Sequence, residues 1–66
     1  MEFKDRIKEL RVQKGLSQMQ LANITGISQS AIAKWELGKT EPTASAIVTL
    51  AKFFDKSTDY LLGLED

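Results

Sequence analysis

The sequence predicts an all-α fold, a compact bundle of five short helices with two of them joined by a tight glycine turn across residues 17–37. Three observations support this. Apolar residues recur at helical spacing, as Phe3, Ile7 and Leu10 do near the start and Ile47, Leu50, Ala51 and Phe54 do later. A Ser or Thr stands at the N-cap place before each later helical stretch, where its side chain can accept from a free first-turn amide. No stretch alternates apolar and polar residues as a half-buried strand would, and no repeat or low-complexity segment interrupts the chain.

The first helix carries charges around the face opposite Phe3, Ile7 and Leu10 and ends at Gly15. In SQMQLANITG, Ser17 is the N-cap and Gln20, three residues on, completes a capping box, so a second helix runs to about Thr25. Gly26 stops it in the left-handed conformation that glycine adopts cheaply. Only Ile27 and Ser28 intervene before QSAIAKWEL, with Ser28 as the next N-cap. GKTEP is a loop, Thr43 caps a fourth helix, and Ser57 or Thr58 caps a short fifth. Asp59 suits the positive first turn of that last helix, and Leu61 and Leu62 are available to close the core.

A chain of 66 residues buries only roughly 60% of the surface its unfolded form exposes, so residues 1–66 are expected to form one domain around one core. With 42% hydrophobic and 27% charged residues the composition suits a globular domain, and no stretch approaches the length of a membrane span. The start, MEFKDRIKEL, lacks a signal peptide's apolar core, so the expected location is cytoplasmic. The absence of Cys and His excludes disulfides, zinc fingers and thiol or imidazole catalysis. No cofactor is expected. Asp and Glu are spread along helix faces with no phosphate-cradling loop, which argues against an enzyme. The net charge is zero but unevenly placed: residues 1–40 hold seven Lys/Arg against four Asp/Glu, and residues 41–66 hold two against five. A basic first half could face phosphates while the acidic half faces away.

The third helix carries the most informative pattern. At 100° per residue, Ala31, Ile32 and Trp35 gather on one side, while Gln29, Ser30, Ala33, Lys34 and Leu37 share the other. That second face is low enough to enter a major groove, where Gln pairs with adenine N6 and N7, Lys reaches guanine O6 and N7, Ser serves several bases and Ala meets a thymine methyl. The bland alternative is the solvent side of an ordinary amphipathic helix. Trp35 belongs to the core, because it lies beside Ile32 and buries a large area.

The segment LSQMQLANITGISQSAIAKWELGKTEPT, followed by a closing DYLLG, resembles the Cro and lambda-repressor type of helix-turn-helix domain, the xenobiotic response element family. The features in register are Gln18 opening the second helix, Leu21 and Ala22 in its core, and the Gly26 turn. Ile27 and Ile32, the run from Glu36 to Lys39, and Pro42 complete the match. The resemblance implies a lambda-repressor-like DNA-binding domain whose recognition helix, residues 28–37, reads the major groove. It further implies a transcriptional regulator, most often a repressor of phage, prophage or autoregulated operon type. Its expected partner is double-stranded DNA carrying a pseudo-palindromic operator, bound by a homodimer.

Carried over by position, Gln18, Gln29, Ser30, Ala33 and Lys34 form the base-reading set. Ser17, Ser28, Lys39 and Thr40 fall where such domains grip phosphate, although both serines are N-caps in any case and Lys39 could be a solvated loop cation. Arg11 and Glu36 match a structural ion pair that joins the first helix to the end of the recognition helix. Phe53 lies off the main buried face of the fourth helix and needs covering, either by the fifth helix or by a partner subunit that also meets Leu61 or Leu64. Two departures stand out. Leu37 takes a place where polar or basic residues are usual, and Asp55-Lys56 replaces a glycine and an aliphatic residue before the last helix. The rival reading is a protein-interaction module, antitoxin-like or partner-binding, that has lost specific DNA binding.

Overall fold

The computed structural model describes residues 1–66 as five helices with no strand: α1 (Phe3–Gln13), α2 (Gln18–Thr25), α3 (Gln29–Glu36), α4 (Ala44–Phe54) and α5 (Thr58–Leu61). The caps lie where the residue types place them. Ser17 Oγ accepts from Gln20 N at 3.0 Å while the Gln20 side chain accepts from Ser17 N at 2.8 Å, closing the capping box. Ser28, Thr43 and Ser57 each accept from the amide three residues ahead, at 3.1, 3.2 and 2.9 Å. Ser57, rather than Thr58, is therefore the cap of α5. At the α1 start the Asp5 side chain accepts from Glu2 N at 3.2 Å, a capping contact not expected above.

The connection between α2 and α3 explains itself residue by residue. Gly26 sits at φ 76°, a left-handed conformation that a Cβ disfavours, and its amide closes the helix on Ala22 O. Thr25 Oγ1 donates to Leu21 O at 2.8 Å and accepts from Ile27 N at 3.3 Å, stitching the turn from both sides. At the other end of the chain, Asp55 adopts the left-handed conformation at φ 54°, one of the few side chains that tolerate it, and ends α4 without a glycine.

One core unites the bundle. Ile7, Leu21, Ile32, Leu50 and Leu61 are fully buried, and Leu10, Ala22, Trp35, Ala46, Ala51 and Phe54 pack around them. Helix α1 lies against α3 and α5, α2 against α3 and α4, and α4 against α5, so each helix supplies part of every neighbour's cover. Trp35 is core, in an edge-to-face arrangement with Phe3 at 5.7 Å between ring centroids. The closing DYLLG docks on the opposite terminus: Gly63, at φ 80°, lies so close to the Met1 carbonyl that any side chain would collide with it.

One assignment changes, and one alternative is narrowed. Leu61 is fully enclosed in the core, so it cannot offer a surface to a partner subunit; a leucine on the inner face of a four-residue helix is consumed by its own domain. Phe53 is half-buried, edge-on to Phe54 at 4.9 Å with the Lys14 ammonium 5.2 Å from its ring, so its cover comes largely from within the chain. Leu64 remains exposed, as does Leu62. Arg6 was not singled out by its sequence position, yet it is buried, with its guanidinium 4.0 Å from the Tyr60 ring centroid. A cation stacked on an aromatic face explains how a charge is tolerated between α1 and α5. Lys56 contributes to the same stack from outside, 5.1 Å from that ring, and is otherwise exposed.

Candidate nucleic-acid interface

The glycine turn brings the N-termini of α2 and α3 side by side. Gln29 Nε2 donates to Gln18 Oε1 at 3.3 Å, so the first residues of the two helices touch, and their caps Ser17 and Ser28 flank them. Each cap serine uses one oxygen lone pair to accept an amide, which leaves its hydroxyl proton free to donate to a phosphate oxygen. Capping and phosphate contact are therefore compatible. The remaining first-turn amides point outward, as they must at any helix start, and add positive potential there.

Along α3, Gln29, Ser30 and Lys34 are exposed and Ala33 is half-buried between them, while Ile32 and Trp35 face inward. The division expected from the helical wheel holds. Lys34 forms no ion pair within the chain, nor does Lys39. Lys39 and Thr40 lie just beyond the far end of α3, both exposed. The eight-residue helix spans roughly 12 Å at 1.5 Å per residue, with Ser28 before its first residue and Lys39 and Thr40 beyond its last.

The electrostatics suit an anion. No Asp or Glu occurs from Lys14 to Trp35, and the one carboxylate of residues 17–37, Glu36, is neutralised internally. Arg11 Nε and Nη2 donate to Glu36 Oε2 and Oε1 at 2.7 and 2.9 Å, and Arg11 Nη1 donates to Leu16 O at 2.7 Å. The Glu36 side chain is 6% exposed and that of Arg11 13%, so the pair is partly buried and ties α1 to the end of α3. Its hydrogen bond to Glu36 raises the Arg11 pKa above its ordinary value, with burial acting the other way and losing. Glu36 Oε1 also accepts from Gln18 Nε2 at 3.2 Å, which joins the ion pair to the exposed polar face formed by α2 and α3 and which spacing alone did not reveal.

Leu37, the departure noted at the end of α3, is 66% exposed. It stands as the C-cap with an ordinary right-handed backbone, so nothing local requires a leucine there. The molecule's one cavity, about 540 Å³, is an open groove between the N-terminal residues, Trp35, Pro42 and Leu62, and it reaches the candidate interface only at Thr40.

This fold and surface have known counterparts. Residues 7–61 match the profile of the helix-turn-helix family, and the chain belongs to it, in its Cro and C1 type. The HTH-type transcriptional activator BcrR of Enterococcus faecalis is 41% identical over 66 residues, all of this chain and 32% of that protein. Repressor protein C2 of Salmonella phage P22 is 36% identical over 58 residues, 88% of this chain and 27% of that protein. The chain thus spans about a third or less of the length of these two relatives. The crystal structure of the P22 c2 repressor in complex with a synthetic operator superposes with TM-score 0.89 at 32% identity, covering 98% of both chains. The restriction-modification controller protein C.AhdI of Aeromonas hydrophila gives 0.79 at 36% identity, covering 89% of both.

Proposed function

We propose that this helix-turn-helix domain binds duplex DNA in a sequence-specific manner and so regulates transcription, most often by repression, with α3 in the major groove. The observation that carries the reading is the exposed row Gln29, Ser30, Ala33 and Lys34, set on a backbone that matches the operator-bound P22 c2 repressor along 98% of both chains. Gln29, Ser30, Ala33 and Lys34 read base edges and Gln18 supports Gln29. Ser17, Ser28, Lys39 and Thr40 hold phosphates on either side of the groove and carry no sequence information. The whole of residues 1–66 serves as this one domain, it works in the cytoplasm, and its role is binding rather than catalysis. No helix is long and apolar enough to cross a membrane, and the similar proteins named above are transcriptional regulators and repressors.

The domain acts as a homodimer on a pseudo-palindromic operator, each copy filling one half-site. Exposed Leu64 and Leu62 supply apolar surface at the C-terminal end for such a contact.

The test is a titration by fluorescence anisotropy against the DNA immediately upstream of the chain's own gene and against a scrambled duplex of equal length, over a salt series. The expected result is preference for the upstream duplex, affinity that falls as salt rises, and loss of the preference in the Gln29→Ala, Lys34→Ala double variant. Absence of binding to either duplex at low salt would overturn the reading in favour of a protein-interaction module.

A further inference from the structure

We propose that Glu36, a residue that does not itself face the groove, sets the donor–acceptor polarity of the Gln29 amide and thereby selects which bases α3 accepts. The inference rests on the DNA-binding reading above and adds a positioning residue to it.

The argument begins at a group with no freedom. The Glu36 carboxylate receives Arg11 Nε and Nη2, and an ionised carboxylate can only accept. Gln18 must therefore turn its NH2 end to Glu36 Oε1, which it does at 3.2 Å. That choice leaves Gln18 Oε1 pointing at Gln29, and a carbonyl oxygen also only accepts. Gln29 must then present Nε2 to it, at 3.3 Å, and carry its own Oε1 at the other end of the amide. The two ends of a glutamine amide have nearly the same shape, so partners decide which is which. Here each decision follows from the one before, back to a partly buried ion pair at the other end of the helix.

The consequence concerns base choice. With Nε2 held inward, the outer end of Gln29 is an acceptor. The donors in the major groove are adenine N6 and cytosine N4, whereas guanine O6 and N7 and thymine O4 are acceptors. Adenine also offers N7 to the second Nε2 hydrogen. The order at the Gln29 position is therefore adenine, then cytosine, with guanine and thymine disfavoured. Glu36→Gln replaces the obligate acceptor by a group that has a donor end of its own, so the chain of choices loses its origin and both Gln29 orientations become available. Arg11→Lys weakens the ion pair but keeps the carboxylate, and the order should survive.

The experiment has two parts. Side-chain amide resonances of Gln18 and Gln29 are followed by NMR in the free protein and in both variants, and large shifts in Glu36→Gln alone are expected. Unmoved resonances in that variant would overturn the relay with no reference to DNA. A preferred duplex is then selected by the wild-type chain from a randomised pool, and all four base pairs are compared at the position whose preference Gln29→Ala abolishes. Wild type and Arg11→Lys should favour adenine over guanine and thymine by about tenfold or more, and Glu36→Gln by about threefold or less. Equal discrimination by wild type and Glu36→Gln, or an equal loss in both variants, would reduce Glu36 to a purely structural role. Failure of the wild type to select any duplex would overturn the DNA-binding reading itself, a result distinct from a selected duplex with unaltered base preference.

Discussion

Helix α4 and the α2–α3 pair are built on opposite principles. Five of the eleven residues of α4 are buried, whereas α2 and α3 bury two of eight each. The first element is held by apolar area, with a fully buried Leu50 at its centre and burial of such a side chain stabilising by roughly 1.5–3 kcal/mol. The second buries fewer side chains, Leu21, Ala22, Ile32 and Trp35, and adds to them caps, a left-handed glycine, the Thr25 stitches and the chain of hydrogen bonds from Arg11 to Gln29. The difference teaches how a 66-residue domain can keep a polar face available: α2 and α3 commit only a few side chains, Leu21 and Ile32 among them, to the shared core, and directional bonds orient the rest.

Substitutions should separate the two principles. The largest expected effect is Leu50→Ala, which removes a fully buried side chain from the α4 side and should lower stability by about 2–5 kcal/mol in a denaturant melt. Second comes Glu36→Ala. It strands Arg11 and should lower stability by about 3 kcal/mol, toward the lower end for a buried pair because Arg11 keeps some access to water. Gly26→Ala should lower it by about 1–2 kcal/mol through the left-handed backbone alone, since nothing lies within 4 Å of the added methyl group. If this variant melts like the wild type, the turn is less constrained than its φ implies.

Gln29→Ala with Lys34→Ala should sharpen the contrast most clearly, changing stability by less than about 0.5 kcal/mol while abolishing preference among duplexes in the anisotropy titration. A large fall in stability here would mean that the outer face of α3 is structural. The smallest effect expected is that of pH. The chain has no His or Cys, and the raised Arg11 pKa means that its share of the ion pair is present throughout the neutral range and is lost only in strong base, as pH rises through that raised value. Melting temperature should therefore vary little between about pH 6 and 8, and a sharp step there would point to a titrating group that the packing does not reveal.

Much of the architecture was legible because its signals are local. The Ser17–Gln20 capping box, Gly26, and the N-caps Ser28 and Thr43 all act within a few residues of themselves, so their effect can be read without knowing what lies across the core. The inward and outward faces of α3 followed from the helical period for the same reason. The Arg11–Glu36 pair spans 25 positions and was accessible only through the family resemblance, not through spacing.

What residue type and order determined, then, was the five helices, their ends, and the polar row Gln29, Ser30, Ala33 and Lys34 on one of them. What tertiary structure alone decided was which side chains at the edges of those helices are consumed by the core and which are linked across it. Leu61 disappears into the core, Leu64 does not, Arg6 rests on Tyr60, and Gln18 bonds to Glu36. Each of these depends on the distance between segments far apart along the chain. Helical period and capping fix directions within a helix, but they leave open how closely another helix approaches it.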